Sequence, residues 1–356
     1  MKVYKDIFGK IISLENLFLA WDKFQSDKKK KHDVCQFERE LEKNIFELYR
    51  DLVNKTYRHG TYSSFYIHDP KQRHIHKATI RDRVLHHAVF TVLNLIFEPT
   101  FITTSFSCRV GYGTHKGVGT LGSFIRKASR NYTRSCYVLK CDIRKFFDSV
   151  NHEILFAILK RRIQDKDALC LLQEIMESYV SAERERERER EEQTLRKGIP
   201  IGNLTSQLFA NVYMNEFDQF VKHKMRVKFY ARYTDDFILV ADKREYLEEI
   251  IPRIAEFLDK SLALALHPNK VSIRKFHQGV DFLGYITLPH YKLLRLKTKG
   301  RIFRKLRKRV REYKSGIITK QTLEQSLRSY LGVLSHADAY KLSQELLNNY
   351  WFWLGE

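Results

Sequence analysis

The stretch Phe229-Tyr-Ala-Arg-Tyr-Thr-Asp-Asp-Phe-Ile-Leu-Val240 sets two adjacent carboxylates, Asp235 and Asp236, between two runs of aromatic and β-branched residues. Such runs are typical of β-strands, and the acidic pair falls where the chain must turn, so the stretch predicts a β-hairpin. Two carboxylates about 4 Å apart repel by roughly 4 kcal/mol at an effective dielectric of about 20, so a half-buried pair usually shares a proton or binds a cation. The stretch by itself leaves a plain aspartate-containing turn as an equal alternative.

The rest of the chain is basic and globular. Its 356 residues are 43% hydrophobic, which is enough to bury a core and suggests two or three folded units. Lys and Arg number 64 against 42 Asp and Glu, a formal charge of +22, which favours a polyanionic partner.

Other classes of protein fit the sequence poorly. No apolar run of about 18 residues is present, and the first residues lack the apolar core of a secretory signal, so the sequence predicts a soluble intracellular protein. The five cysteines form no Cys-x-x-Cys pair, which argues against a disulfide framework and a zinc knuckle.

Periodicity divides the chain into several kinds of segment. Helical spacing of apolar residues predicts helices over residues 1–56, and alternation broken by Gly60 and Pro70 predicts a second hairpin carrying Lys71 and Arg73. An apolar helix is expected from Arg83 to Phe97, and a glycine-rich basic loop over residues 105–117.

The second half of the chain continues this mixture. Residues 137–142 predict a strand with Asp142 at its end, followed by a helix capped by Ser149 or Asn151. Residues 198–207 predict a loop ending in a Thr or Ser cap before another helix. The strict Glu-Arg alternation of residues 183–191 has no apolar face, so it predicts a solvated insertion without a catalytic role.

Three carboxylates stand at predicted strand ends. Asp142, Asp235 and Asp236 lie on segments that one antiparallel sheet can bring together. Phosphoryl transfer to a nucleotide uses two cations that hold the attacking and leaving oxygens, and carboxylates from separate segments are their usual ligands. The pattern therefore favours the palm of a polymerase.

These residues also resemble a known family. Tyr233-Thr-Asp-Asp236 is similar to the Tyr-x-Asp-Asp box of reverse transcriptases, and Asp142-Ile-Arg-Lys-Phe-Phe147 is similar to their first aspartate motif. Further strings fall in the order found in group II intron-like bacterial enzymes, so that the likeness covers nearly the whole chain: Arg81-Asp-Arg83, Gly111-Tyr-Gly-Thr-His115, Gly202-Asn-Leu-Thr-Ser206, Pro268-Asn-Lys270 and Phe282-Leu-Gly-Tyr285.

The resemblance implies an α+β, right-hand polymerase fold with fingers, an antiparallel-sheet palm and a helical thumb. Its divisions would be an N-terminal helical extension (1–56), fingers (57–135), a palm with a fingers-proximal segment and the charged insertion near 178–198 (136–290), and a thumb (291–356). It implies a cytoplasmic enzyme of bacterial, archaeal or phage origin, with no membrane contact.

It also implies site residues. Asp142, Asp235, Asp236 and the backbone carbonyl of Ile143 would hold two Mg²⁺ ions, with Mn²⁺ as a possible substitute. Phe147 would stack under the sugar and exclude a ribose 2′-hydroxyl, with ordinary core packing as its alternative. The remaining nucleotide-binding residues would be Lys71, Arg73, Ile201, Gly202 and Lys270. A generic surface hairpin fits Lys71 and Arg73 nearly as well, and a solvated lysine beside a turn fits Lys270 equally well.

A second implied set faces the nucleic acid. Template or primer would be bound by Arg109, His115, Ser206, Gln207, Arg301, Arg304, Lys308 and Arg311. The last four share one face of a predicted C-terminal helix, and Ile302, Leu306 and Val310 share another. His86 and His87 are expected to pack or lie at the surface rather than bind a ligand.

The loop around Gly202 indicates a particular subfamily. Most reverse transcriptases carry a glutamine before the loop glycine, but here Ile201 precedes Gly202, and Thr205-Ser206-Gln207 follows. This form resembles the enzymes of diversity-generating retroelements, which copy a template-repeat RNA with errors opposite adenine. An apolar Ile201 would remove a contact that rewards correct pairing, worth about 1 to 3 kcal/mol of discrimination. The alternative is that Ile201 merely packs the loop.

The implied partners are an RNA template, a DNA or RNA primer, dNTPs and a small basic oligomeric accessory protein. Two other functions stay open from the sequence: a phage-defence or retron-like reverse transcriptase, and an RNA-binding scaffold that has lost its chemistry. No Val-Thr-Gly motif of the retron kind follows the palm, and the three intact aspartates argue against the scaffold.

Overall fold

The computed structural model describes residues 2–69, 72–179 and 196–356. Lys71 and the charged repeat Glu183 to Glu191 lie outside the described residues. Helices of the described chain are, in order, α1 (Phe8–Ile12), α2 (Leu14–Gln25), α3 (His32–Arg39), α4 (Leu41–Val53), α5 (Ile80–Phe97), α6 (Thr114–Ala128), α7 (Phe146–Ser149), α8 (His152–Lys160), α9 (Lys166–Glu177), α10 (Leu204–Gln219), α11 (Arg244–Leu262), α12 (Leu296–Lys314), α13 (Lys320–Leu334) and α14 (Tyr340–Gly355).

The strands form three sheets. In chain order they are β1 (Ser63–Ile67), β2 (Arg73–Lys77), β3 (Tyr137–Asp142), β4 (Phe229–Tyr233), β5 (Asp236–Ala241), β6 (Ser272–Lys275), β7 (Val280–Phe282), β8 (Tyr285–Thr287) and β9 (Lys292–Leu294). β1 pairs with β2, a four-stranded sheet has the order β4-β5-β3-β6, and a three-stranded sheet has the order β7-β8-β9. This mixture of helices and sheets confirms the predicted α+β class.

The chain folds into two compact units, and the first is mainly helical. It comprises residues 1–103, 142–226 and 252–269. Helix α5 lies at its centre, against α2 and α10, because both faces of α5 are apolar and residues such as Val84, Leu85 and Leu93 are fully buried. Thr79 caps this helix by accepting a hydrogen bond from the amide of Asp82.

The predicted helical character of residues 1–56 is confirmed, but four helices, α1 to α4, stand where two were expected. The basic run from Lys28 to Lys31 separates α2 from α3, as predicted. Trp21 is buried on α2 and stacks on Phe37 of α3 with ring centroids 5.1 Å apart. The predicted second hairpin is also present, with Ser63 opposite Lys77 and Ile67 opposite Arg73.

The second unit contains the four-stranded sheet. It comprises residues 104–141, 227–251 and 270–356. Helix α6 packs on β4 and β5, and the core between helix and sheet includes Leu121, Ile125, Val138, Ala231 and Ile238.

The C-terminal part of this unit is helical, as predicted. Helices α12 to α14 pack around Leu306, Leu323 and Leu346, all fully buried. Among the residues that the structure describes, no helix is long and apolar enough to cross a membrane.

One predicted helix start was wrong. The sequence suggested Thr205 or Ser206 as the cap of α10, but this helix begins at Leu204, with Asn203 in the capping position. The side chain of Asn203 makes no capping hydrogen bond. Thr205 and Ser206 are instead buried in the first turn, because the apolar core of this unit encloses that end of the helix.

Candidate active site

The acidic pair lies at the tip of the β4–β5 hairpin. Tyr233 pairs with Asp236, so Thr234 and Asp235 form the turn and Asp236 is the first residue of β5. Both carboxylates are half-buried. Thr234 has a φ of +55°, a left-handed backbone conformation that a β-branched residue rarely adopts. The predicted hairpin is confirmed, and its turn is conformationally strained.

A buried arginine supports this turn. Arg232 has no exposed surface, and its guanidinium donates to the carbonyl of Thr234 at 3.0 Å and to the hydroxyl of Ser105 at 3.1 Å. The backbone of Arg232 also bonds on both sides: its amide donates to Thr104, and its carbonyl accepts from Phe106, each at 2.9 Å. The segment from Thr104 to Phe106 therefore runs along β4.

A second contact joins the same segment to the turn. The hydroxyl of Thr234 donates to the hydroxyl of Ser107 at 2.6 Å. Arg109 donates to the carbonyl of Ser105 at 2.8 Å and lies 4.0 Å over the ring of Tyr112. The turn is therefore held through both its backbone and its side chain, and the role of Arg109 in template or primer binding stays a prediction.

Asp142 occupies the end of a neighbouring strand. It is the last residue of β3, with 6% of its surface exposed, and β3 stands next to β5 in the sheet. Its backbone carbonyl accepts a hydrogen bond from the amide of His267 at 2.8 Å. The next residue, Ile143, is buried and forms an antiparallel bridge with Leu266.

Asp235 and Asp236 offer carboxylate oxygens at the tip of the hairpin. Within residues 2–69, 72–179 and 196–356, no group of three or more His, Cys, Asp or Glu side chains is gathered so that it could hold a metal ion. Mg²⁺ prefers oxygen ligands, and it is usually bound by one or two carboxylates together with substrate phosphates and water rather than by an all-protein cage. An ion at the hairpin tip would therefore need further oxygen ligands from a bound nucleotide and from water.

The loop before α10 carries other predicted nucleotide-binding residues. The carbonyl of Ile201 accepts from the amide of His76 on β2 at 3.1 Å, and the amide of Ile199 donates to the carbonyl of Phe147 at 2.8 Å. Gly202 has a φ of +123°, and a Cβ there would lie 3.0 Å from Ile75. The structure therefore ties the predicted residues Phe147 and Ile201 into one hydrogen-bonded assembly.

Phe147 itself is half-buried, and its ring meets Phe146 edge-on at 5.4 Å.

The other predicted binding residues differ in exposure. Arg73 is exposed on β2, Ser206 is 3% exposed on α10, and Lys270 is half-buried after the turn at Pro268 and Asn269. Gln207 is half-buried beside Ser206. Their roles toward nucleotide, template and primer stay predictions.

His115 contacts the C-terminal part of its own unit. Its ring stacks on His336 at 3.5 Å, and its Nδ1 lies 3.4 Å from the hydroxyl of Tyr285. Burial, followed by the charges of His336 and Lys292, lowers the pKa of His115. These contacts give His115 a packing role, and template binding by it stays a prediction.

The predicted basic face of α12 is formed. Arg304, Lys308 and Arg311 are exposed and Arg301 is partly so, whereas Ile302, Leu306 and Val310 are buried on the other side of the helix. Lys308 makes an ion pair with Glu312 at 3.7 Å.

Sequence reasoning missed a buried carboxylate. Asp82 of α5 has no exposed surface and accepts hydrogen bonds from the Tyr57 hydroxyl at 2.7 Å, the Thr79 hydroxyl at 2.6 Å and the Gly60 amide at 3.1 Å. On the same helix His86 is buried, as expected, and burial holds its pKa well below the usual value. The buried Asp82 was marked in the sequence by the Arg81-Asp-Arg83 string, which sets an acidic residue within an apolar helical pattern.

Comparison with known protein families supports the family predicted from the acidic hairpin. A model of the reverse transcriptase (RNA-dependent DNA polymerase) family matches residues 67–287, which include Asp142, Asp235 and Asp236. The chain belongs to the reverse transcriptase family. The family predicted from the Tyr233-Thr-Asp-Asp236 box is therefore confirmed, whereas the diversity-generating subfamily stays a prediction.

Individual relatives of this reverse transcriptase are distant. Protein YkfC of Escherichia coli is 25% identical, over 58% of this chain and 60% of that protein. The group II intron-encoded protein LtrA of Lactococcus lactis is 22% identical, over 80% of this chain and 54% of that protein. A putative COX1/OXI3 intron 2 protein of Saccharomyces cerevisiae is 22% identical, over 58% of this chain and 29% of that protein. The chain thus spans 60% or less of the length of these relatives.

Proposed function

We propose that the chain is an RNA-directed DNA polymerase that extends a DNA or RNA primer along an RNA template with dNTPs. The observation that carries this proposal is the acidic turn: Asp235 and Asp236 stand at the tip of a hairpin in the sheet whose neighbouring strand ends at Asp142. The formal charge of +22 favours a polyanionic template and primer.

In this proposal the fold is the right-hand arrangement of the family. Residues 57–135 form the fingers, residues 136–290 the palm and residues 291–356 the helical thumb, with residues 1–56 as an N-terminal extension. The antiparallel sheet that carries the acidic hairpin is the palm, and the exposed cations of α12 face the nucleic acid.

Asp142, Asp235, Asp236 and the carbonyl of Ile143 are the proposed ligands of two Mg²⁺ ions, which Mn²⁺ can replace. When bound, such ions stabilise charge on the attacking and leaving oxygens of phosphoryl transfer. Phe147 lies under the sugar, and Arg73 and Lys270, with Lys71, neutralise the triphosphate, a task suited to bidentate arginine contacts and lysine point charges.

Primer extension by the purified protein tests this proposal. The substrates are an RNA template, a labelled DNA primer, dNTPs and Mg²⁺. Asp235→Asn and Asp236→Asn should each lower the extension rate by at least about two orders of magnitude, because a neutral amide binds a hard cation poorly. Asp259→Asn, at an exposed position on α11, is the matched control. Activity retained by both hairpin variants would refute the metal assignment.

The finer proposal is that the enzyme copies a template-repeat RNA with errors opposite adenine, for diversification of a target gene. It is supported by Ile201, an apolar side chain at the position where most members of the family carry glutamine. The backbone of Ile201 is held by His76, so a change of its side chain leaves the loop attached to β2. A small basic accessory protein belongs to this proposal through the family resemblance alone.

Sequencing of the complementary DNA tests the finer proposal. Wild type should misincorporate opposite adenine on an adenine-rich RNA, and Ile201→Gln should reduce those errors, by about tenfold if one discriminating hydrogen bond is restored. Ile201→Leu keeps an apolar side chain and should retain the wild-type error spectrum. Equal adenine errors in wild type and Ile201→Gln would exclude the role of Ile201.

A further inference from the structure

We propose that Arg232 is a positioning residue for the metal-binding turn: it holds the Thr234 peptide so that Asp235 and Asp236 are presented to the cations. This inference rests on the proposed function, because it concerns the same carboxylates. Arg232 does not itself contact the reacting atoms in this proposal. It acts through the backbone of the residue that precedes Asp235.

The first support is the burial of a full positive charge. Arg232 has no exposed surface, although it lies on a strand of only five residues. Burying a guanidinium is costly unless hydrogen bonds and charges compensate it. Its donors reach Thr234 in the turn and Ser105 in the segment beside β4, so these hydrogen bonds connect the turn to that segment.

The second support is the strain at Thr234. A threonine with a φ of +55° is less stable than one in the extended or helical region, so the turn would relax if nothing held it. Arg232 holds its carbonyl, and the Ser107 hydroxyl accepts from its side chain at 2.6 Å. One hydrogen bond holds the backbone carbonyl of Thr234 and the other holds its side-chain hydroxyl. Together they fix the peptide that leads into Asp235.

Positioning and electrostatics make opposite predictions for this arginine. A buried cation three residues before Asp235 repels a metal ion, so an effect of charge alone would make metal binding tighter when the arginine is neutralised. A positioning effect makes binding weaker, because the carboxylates lose their fixed arrangement. Arg232→Lys keeps the charge but not the planar fork, and Arg232→Gln removes both.

The main experiment measures metal binding directly. Mn²⁺ is titrated into the full chain bound to an RNA template with a dideoxy-terminated primer and the matching dNTP, and free Mn²⁺ is followed by electron paramagnetic resonance. Arg232→Gln should raise the apparent Mn²⁺ dissociation constant by about tenfold, and Arg232→Lys by a smaller factor, because the hydrogen bonds of the guanidinium to Thr234 and Ser105 are lost. Arg244→Gln, which removes an exposed cation paired with Glu248, should match wild type.

Kinetics give a second readout that general destabilisation would not produce. With an extendable primer, the variants should need more Mg²⁺ for half-maximal rate, whereas their affinity for the template–primer duplex stays at the wild-type value. Raised Mg²⁺ should restore most of the rate. Metal and nucleic-acid affinities that fall together would overturn the positioning role in favour of a general structural one.

Milder variants keep the proposal testable if Arg232→Gln does not fold. Ser105→Ala removes one partner of the guanidinium, and Thr234→Val removes the hydroxyl that donates to Ser107. Each should raise the Mn²⁺ dissociation constant by about threefold. Unchanged or tighter Mn²⁺ binding in these variants or in Arg232→Gln would overturn the inference. If wild type extends no primer and binds no Mn²⁺, the proposed function has failed instead.

Discussion

The carbonyl of Ile201 accepts a hydrogen bond from the amide of His76 at 3.1 Å, so the loop before α10 is joined to strand β2. These residues are 125 positions apart in the sequence. Gly202 follows directly, with a φ of +123° and with Ile75 3.0 Å from where a Cβ would be. The close approach of loop and strand therefore depends on a glycine at this position.

Gly202→Ala should lower the free energy of unfolding by about 1 to 3 kcal/mol, because the new methyl group meets Ile75 in a backbone conformation that L-residues rarely adopt. Urea unfolding followed by circular dichroism measures the change. Gly119→Ala is the matched control: Gly119 lies within α6 with no atom near its Cβ position, so alanine there should stabilise the protein by about 0.5 to 1 kcal/mol. Equal effects of the two substitutions would contradict the close approach.

Local patterns predicted the hairpin and its acidic tip because strand alternation and turn formation depend on neighbouring residues. Tyr233 and Asp236 are three positions apart. The capping side chain of Asn151 accepts a hydrogen bond from the amide of Ile154, which is also three positions away. Such short-range relations leave a direct mark on the sequence.

Long-range relations left no such mark. Arg232 donates a hydrogen bond to Ser105 across 127 positions. The alternation of residues in the strand does not indicate that this arginine is buried. The start of α10 was misplaced for a similar reason, since tertiary packing, not capping propensity, determines that Thr205 is buried. The roles assigned to single residues by family resemblance stay predictions until the variants are measured.

Tyr57→Phe should destabilise the first unit, because it removes a hydroxyl that donates to the fully buried carboxylate of Asp82 at 2.7 Å. The loss expected for a hydrogen bond to a buried charged group is about 1.5 to 3 kcal/mol. Thermal or urea unfolding measures it. Tyr246→Phe, at an exposed tyrosine on α11, should change stability by less than about 0.5 kcal/mol. A Tyr57→Phe variant as stable as wild type would show that Asp82 does not need this donor.

The stability of the protein should fall as the pH falls from about 6.5 toward 4, in part because of His87. Burial, and then the charges of Lys28, Lys23 and Arg83, lower the pKa of His87 from 6.5 to about 4. In that interval the unfolded chain binds a proton that the folded chain does not, so the free energy of unfolding decreases with decreasing pH. The contribution is fully present above about pH 6.5.

His87→Gln should therefore flatten the dependence of unfolding free energy on pH between 4 and 6.5, since glutamine does not titrate. Urea unfolding at closely spaced pH values measures the slope. His277→Gln, at an exposed position, serves as the control for losing a histidine. A slope in His87→Gln equal to that of wild type would contradict the assignment of this proton to His87.

Neutralising the basic face of α12 should weaken nucleic-acid binding in a salt-dependent way. Arg304 and Arg311 are exposed, and if each neutralises one phosphate, Arg304→Gln and Arg311→Gln should each reduce the slope of log affinity against log salt by about 0.7 to 0.9. Fluorescence anisotropy with a labelled RNA–DNA duplex over a range of salt concentrations measures this slope. Arg161→Gln removes an exposed arginine that pairs with Glu216 at 2.6 Å, and it should leave the slope at the wild-type value. The same decrease in all three variants would mean that overall charge, and not the face of α12, binds the duplex.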